Sequence, residues 1–378
     1  MQKPRLSAIE YIRGISMMGV IGIHVGSQYI LMNPTPNLHL TAWFEIVTRF
    51  SVPIFFFISA FGLFYHLDLQ KPFDYRAFLK RRGRTVLIPY IIWSLFYVVH
   101  DGILYGTGLP DPFHFPYLLF FGLAKYQLYF LVILLWFYLL MPLWIAVVRR
   151  ISLMGLALLL LAQIGFDYFS SYNVAFNTYV YGLPEGSPLR PFLMYRLNYW
   201  VLHYVFIFVL GGWLSVHFDT FRDFMQKRRF AIIAFFWLSL ASLLGYYYYL
   251  IYGQGCTQEA AINTAHQLSP EGIFYTVAAS LFFFTVFTYQ KYPALLNPLL
   301  SLLGKHSYFA YLAHPIAIGY FSLWLTNHNY IMTAPLAIAY YFAVLFASVL
   351  AAALCRKIGE RIPVLNELTI GVYQKKKG

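Results

Sequence analysis

Arginine and histidine are costly in hydrocarbon, yet Arg13 and His24 both stand in one apolar stretch near the start of the chain. An arginine can clamp an anion or a developing oxyanion, and an imidazole exchanges protons near neutral pH. Eleven residues separate them. On a helix, that puts them about 20° apart on one face and about 16 Å apart in depth. Ser16, Val20, Ser27 and Gln28 fall within about 60° of Arg13, while Gly19, Gly22 and Gly26 fall on the opposite side. The spacing Gly22-x-x-x-Gly26 lets a neighbouring helix approach closely. The stretch therefore reads as a helix with a glycine face for packing and a polar face turned to something wet or reactive. Each residue also has a plain structural reading: Glu10 can pair with Arg13 at i−3, and His24 can be a hydrogen-bonded interior histidine. With inserted arginine costing about 2.5–3.5 kcal/mol at mid-span, two such residues on one stripe favour function.

Further along, Glu45 and Arg49 are four residues apart, so on a helix they can neutralise each other. Glu45 is expected about one turn below the outer surface, near the depth of His24, where a carboxylate could fix the imidazole tautomer and support it as a base. The run Lys80-Arg81-Arg82-Gly83-Arg84 has two readings. It is a signal that keeps this segment in the cytoplasm, or a phosphate site, since arginine forks bind phosphate oxygens bidentately. His314 precedes Pro315, which frees a backbone carbonyl that a histidine can satisfy without any catalytic role. The sequence has no Gly-rich phosphate loop, no His-Glu-x-x-His and no Cys-x-x-Cys. Metal and nucleotide-hydrolysing chemistries find no support, and no metal site is expected.

What positions these residues is a membrane. Of 378 residues, 60% are hydrophobic and only 11% charged, and the mean hydropathy is +0.62. Soluble domains carry about 25% charged residues, so this chain cannot cover a water-facing surface. Aromatics reach 21%, which suits rings packed in hydrocarbon and anchored at its interfaces. Stretches long enough to cross a bilayer, about 20 residues each, run near 8–31, 41–66, 85–103, 126–148, 151–171, 197–216, 230–252, 271–290, 305–328 and 331–355. Segment 113–123 is too short and reads as interfacial or re-entrant. The expected fold is therefore an all-α polytopic membrane protein of about ten transmembrane helices in one domain. The first span carries Arg13 and reads as a retained helix rather than a cleaved signal.

The sequence pI of about 9.5 does not point to nucleic acid, because the basic residues lie between apolar spans as topology signals do. Of the 27 Lys and Arg, Arg13 and Arg49 lie inside spans and Lys125, Arg190 and Arg196 fall outside. All the others fall on the other side, from Lys3 and Arg5 to Lys375, Lys376 and Lys377, which puts both termini in the cytoplasm. Cys256 and Cys355 are expected on opposite sides, so no disulfide framework follows.

With these residues in view, the chain resembles the acyltransferase-3 family of bacterial membrane proteins. The matching features are Glu10-Tyr-Ile-Arg13-Gly14 followed by His24, then Arg49-Phe-Ser-Val-Pro53-Ile-Phe-Phe-Phe57-Ile-Ser59, and Lys80-Arg81-Arg82-Gly83-Arg84 with Ile88-Pro89-Tyr90. Gln127-Leu-Tyr-Phe-Leu, Phe137-Tyr-Leu-Leu-Met-Pro142 and the His314 motif follow in order, so the likeness covers nearly the whole chain. It is nearest to the branch that modifies exopolysaccharides and other surface glycans. Family members usually have Ser-Gly where this chain has Ser59-Ala60, and many have His or Trp near Gln127 to Tyr129. Both departures leave acceptor specificity open. The stand-alone form, without a soluble esterase-like domain, is expected.

The resemblance implies transfer of an acyl group, most simply acetyl, from cytosolic acyl-CoA to a sugar hydroxyl of an extracytoplasmic or lipid-linked glycan. No permanently bound cofactor is implied; acetyl-CoA is a substrate. Arg81, Arg82 and Arg84 would hold the CoA phosphates, and the pantetheine arm would pass Arg13 along the polar face of the first helix. His24 would act as general base or relay the proton to the thiolate, with Arg13 on the oxyanion and Glu45 in support. His314, Arg49 and Ser59 would make secondary substrate contacts. The bacterial cytoplasmic membrane is the implied location. A glycan or lipid-linked-sugar exporter is the rival reading, although it would more often show repeat symmetry and broken helices in matching halves.

Overall fold

The computed structural model describes residues 6–373, so Lys3, Arg5 and Lys375 to Lys377 lie outside the described residues. Among those described there are helices, turns and connecting segments but no strands. The helices that matter are α1 (Ser7–Leu31), α2 (Leu38–Tyr65), α3 (Tyr75–Leu104), α4 (Pro112–Phe121), α5 (Tyr126–Leu139), α6 (Met141–Arg150) and α7 (Leu153–Tyr172). They continue as α8 (Val201–Val216), α9 (Phe218–Lys227), α10 (Arg229–Tyr252), α11 (Pro270–Thr288), α12 (Asn297–Asn327), α13 (Ala334–Arg361) and α14 (Pro363–Ile370). In a bilayer each backbone N–H and C=O must be satisfied within its own segment, and helices do this.

Seven of these are long and apolar enough to cross a membrane, or up to nine if each of two bent pairs is one span. About ten were expected, and four segments bear on the difference. The span expected over 126–148 breaks at Leu140, because Pro142 has no N–H to donate and disfavours helix at the residue before it. Segment 113–123 becomes α4, which meets α5 at a bend of 52°. There Gly122 has φ +68, and a Cβ on it would come 2.7 Å from Tyr129 Cα, so only glycine fits. The span over 197–216 runs on through His217 into α9 after a bend of 96°. Finally α12, 31 residues long, is not among the seven; it carries Lys305, His306, Ser307 and His314.

The third span starts earlier than its apolar run. Asp74 caps it by accepting from the Ala77 N–H at 2.9 Å, so the basic run is the first turns of a helix rather than a loop before one.

The described chain gathers into two compact units, one of residues 6–67, Ile151–Tyr168 and Phe206–Ala352, the other of Asp68–Arg150, Phe169–Val205 and 353–373. In the first, α1 is the central element. A Cβ on Gly14 would lie 2.9 Å from the Gly304 backbone, and one on Gly304 would lie 2.3 Å from the Glu10 carbonyl, so α1 and α12 meet backbone to backbone. On its other side Gly19, Gly22 and Gly26 face Ser51, Thr48, Phe44 and Glu45 of α2. The glycine face is thus the packing face, and α2 is its partner. Below it Phe57 and Phe61 of α2 pack on Phe284 of α11, with 4.5 Å between the Phe61 and Phe284 rings.

In the second unit α3 is held by α14, through Trp93 Nε1 donating to the Thr369 carbonyl at 3.0 Å, and by Tyr90, whose hydroxyl donates to the Leu119 carbonyl.

Candidate active site

The close approach of α1 and α12 has a chemical result. His24 on α1 is half-buried and His314 on α12 is fully buried. Their ring centroids are 5.2 Å apart and the planes are inclined by only 19°. Nδ1 of His314 is 2.7 Å from the carbonyl of Tyr311, the one carbonyl that Pro315 leaves without its helical donor.

One turn further along α1 from His24, the Ser27 hydroxyl donates to Glu45 Oε1 at 2.9 Å. The other oxygen of Glu45 takes the Arg49 guanidinium at 2.8 Å. Glu45 is 2% exposed and lies in a π-helical turn, Ala42–Ile46. Such a turn inserts one extra residue and is frequent at functional sites. Here it aims the carboxylate back at α1. The hydrogen bonds of Glu45 thus run to Ser27 on α1 and to Arg49 on its own helix. Gln28, on the same stripe, accepts from Ser322 of α12 at 3.0 Å.

His24, His314, Glu45 and Arg49 therefore form one group in the first unit. Two residues of that unit do not join it. Arg13 is exposed, and eleven helical residues place it about 16 Å from His24. Ser59 lies ten residues past Arg49 on α2, roughly 15 Å along the helix, and is half-buried.

The basic run belongs to the second unit. Arg82 is packed between rings, 5.4 Å from Phe78 and 5.1 Å from Tyr138, which is a structural anchorage. Arg81 and Arg84 are exposed, the latter on a second π-helical turn, Gly83–Leu87, with its guanidinium over Tyr373. Among the described residues no carboxylate pairs with any of the three, so the exposed charges of Arg81 and Arg84 stand available to an anion.

Buried polar residues that sequence reasoning passed over lie elsewhere. Asp167 is fully buried and accepts from Gln163 at 2.9 Å, and Arg196, 3% exposed, donates to the Ser170 and Leu193 carbonyls and to Asn177. An ionisable residue within an apolar span was the signal for Asp167. Among the described residues no three His, Cys, Asp or Glu side chains gather as metal ligands.

Helices of this length and apolarity, with such a group between them, define a multi-pass membrane protein. The acyltransferase-3 family model, described as an acyltransferase domain, matches residues 6–355. The chain belongs to that family. Among curated proteins it is similar to the "probable poly-beta-1,6-N-acetyl-D-glucosamine export protein" of Staphylococcus aureus strain MRSA252, 24% identical over 326 residues, which is 84% of this chain and 83% of that protein. Proteins of the same name from strains MSSA476 and N315 match to the same extent. No solved structure matches.

Proposed function

We propose that this protein is an O-acyltransferase of the bacterial cytoplasmic membrane. It moves an acyl group, most simply acetyl, from cytosolic acyl-CoA to a sugar hydroxyl of an extracytoplasmic or lipid-linked glycan. The observation that carries this reading is the pairing of the His24 and His314 rings between α1 and α12 of an acyltransferase-family chain. His24 takes the proton of the acceptor hydroxyl as its oxygen attacks the thioester carbon. A C–O bond forms, the C–S bond breaks, and the proton passes to the departing thiolate. Negative charge gathers on the carbonyl oxygen meanwhile. Arg49 meets it, and Glu45 holds Arg49 in place. Arg13 is too far along α1 to touch the same carbonyl and lines the approach, while Ser59 keeps a secondary contact.

Arg81 and Arg84 take the donor phosphates, with Arg82 as their anchored neighbour. Removing the charge at Arg81 or Arg84 is expected to weaken acyl-CoA binding by about 1.5–3 kcal/mol for each lost phosphate contact. The measurement is KM for acyl-CoA and for the saccharide. A fall in expression alone, with both constants unchanged, places the phosphate site elsewhere.

The basic residues orient the chain with both termini in the cytoplasm. Reporters at Asn37, Gln254 and Asn327 are expected to read external, and those after Arg82 and Arg228 cytoplasmic. An external signal at Arg82 removes the donor site from the donor's side.

The name of the Staphylococcus aureus relatives favours a second reading, movement of a poly-N-acetylglucosamine-like glycan across the membrane. The two readings separate on one point: export moves a saccharide without breaking a thioester.

A further inference from the structure

Pro315 stands inside α12. In a regular helix the carbonyl of residue 311 accepts the N–H of residue 315, and proline has none to give. The Tyr311 carbonyl is taken instead by His314 Nδ1, at 2.7 Å. A carbonyl oxygen only accepts, so Nδ1 holds the hydrogen of this bond, and in the neutral ring Nε2 is the lone-pair nitrogen. The ring is fully buried, so solvent does not compete for either nitrogen. Its neighbour is His24.

We infer that Pro315 is a positioning residue for the histidine pair: by freeing the Tyr311 carbonyl it holds His314 in the Nδ1–H tautomer, so that the nitrogen His314 keeps for its surroundings is an acceptor and not a second donor. In the opposite tautomer His314 would present Nε2–H, a second donor, in the surroundings it shares with His24. A doubly protonated pair is disfavoured by like-charge repulsion at this separation. One proton therefore passes through the pair in each turnover. It leaves the acceptor hydroxyl as the C–O bond forms, rides on His24, and goes to the thiolate as the C–S bond breaks. His314 ends each cycle as it began. A single net hydrogen bond is enough for about a tenfold bias between the tautomers.

The kinetic part of this inference rests on the acyl-transfer reading; the tautomer does not. The test is 15N spectroscopy of histidine-labelled protein in liposomes, with the His314 signals assigned by their loss in His314→Gln. The wild-type ring is expected to carry hydrogen on Nδ1. Pro315→Ala restores an N–H that competes for the Tyr311 carbonyl, and alanine, the best helix former, keeps α12 helical. In this variant the Nε2–H tautomer should appear and kcat should fall about twofold, with KM for acetyl-CoA unchanged. A purely structural proline leaves both the tautomer and kcat per folded molecule unchanged. Hydrogen on Nε2 in the wild-type spectrum overturns the inference without any variant, and so does full kcat in a Pro315→Ala protein whose tautomer has shifted. If the wild type transfers no acetyl group the acyl-transfer reading fails, and the wild-type spectrum still decides whether the lock exists.

Discussion

His24→Gln is expected to lower acyl transfer by about 10²–10⁴-fold, the usual cost of losing a general base. Glutamine keeps a hydrogen-bonding group of similar reach but cannot take a proton. His24→Ala is expected to fall as far, because the property lost is the same in both. Neither should unfold the protein. His24 is only half-buried, and α1 is held to its neighbours by backbone approach at Gly14 and Gly304 and by the glycine face against α2. Transfer is compared at matched amounts of folded protein, with acyl-CoA binding measured alongside. Near-normal transfer by the Gln variant would make His24 a hydrogen-bond donor and pass the role of base to His314.

Glu45→Ala is expected to destabilise the protein by about 3–5 kcal/mol, the range for stripping one partner from a buried ion pair. The penalty falls on Arg49, whose side chain is 13% exposed and whose Nε has no hydrogen-bond partner even with Glu45 in place. Ser27 loses its acceptor on the facing helix as well. Adding Arg49→Met to Glu45→Ala removes the orphaned charge, so the double variant should recover most of the stability and none of the transfer. Thermal unfolding in detergent reads the first quantity and the transfer assay the second. A Glu45→Ala protein as stable as wild type would show that the pair is solvated and that Arg49 is not aimed by it.

Local residues carried much of this arrangement. Arg13 and His24 declared a polar stripe, and the glycines opposite declared a packing face, because both facts depend only on helical period. The structure supplies the partner of that face, α2, and so brings Glu45 back to Ser27. The sequence also suggested that Pro315 frees a carbonyl for His314, since a missing N–H and its acceptor lie within one turn. What could not be read was the meeting of His24 with His314, which comes from two chain segments far apart and depends on Gly14 and Gly304 closing α1 on α12. Hydropathy suggests about ten spans, and it measures apolarity over a window and is blind to direction. The 52° bend between α4 and α5, at the left-handed turn of Gly122, changes direction without changing apolarity. The early start of α3 was hidden for the converse reason: Arg81, Arg82 and Arg84 are good helix formers but poor hydrocarbon.

Purified protein in liposomes, given acetyl-CoA labelled in its acetyl group and a saccharide acceptor, tests acyl transfer itself. The expected result is label in ester linkage on the saccharide, with one free CoA thiol released for each ester formed and both products lost in His24→Gln. Saccharide carried across the bilayer with no thiol released and no label gained would contradict it, and would make the protein an exporter built on an acyltransferase fold.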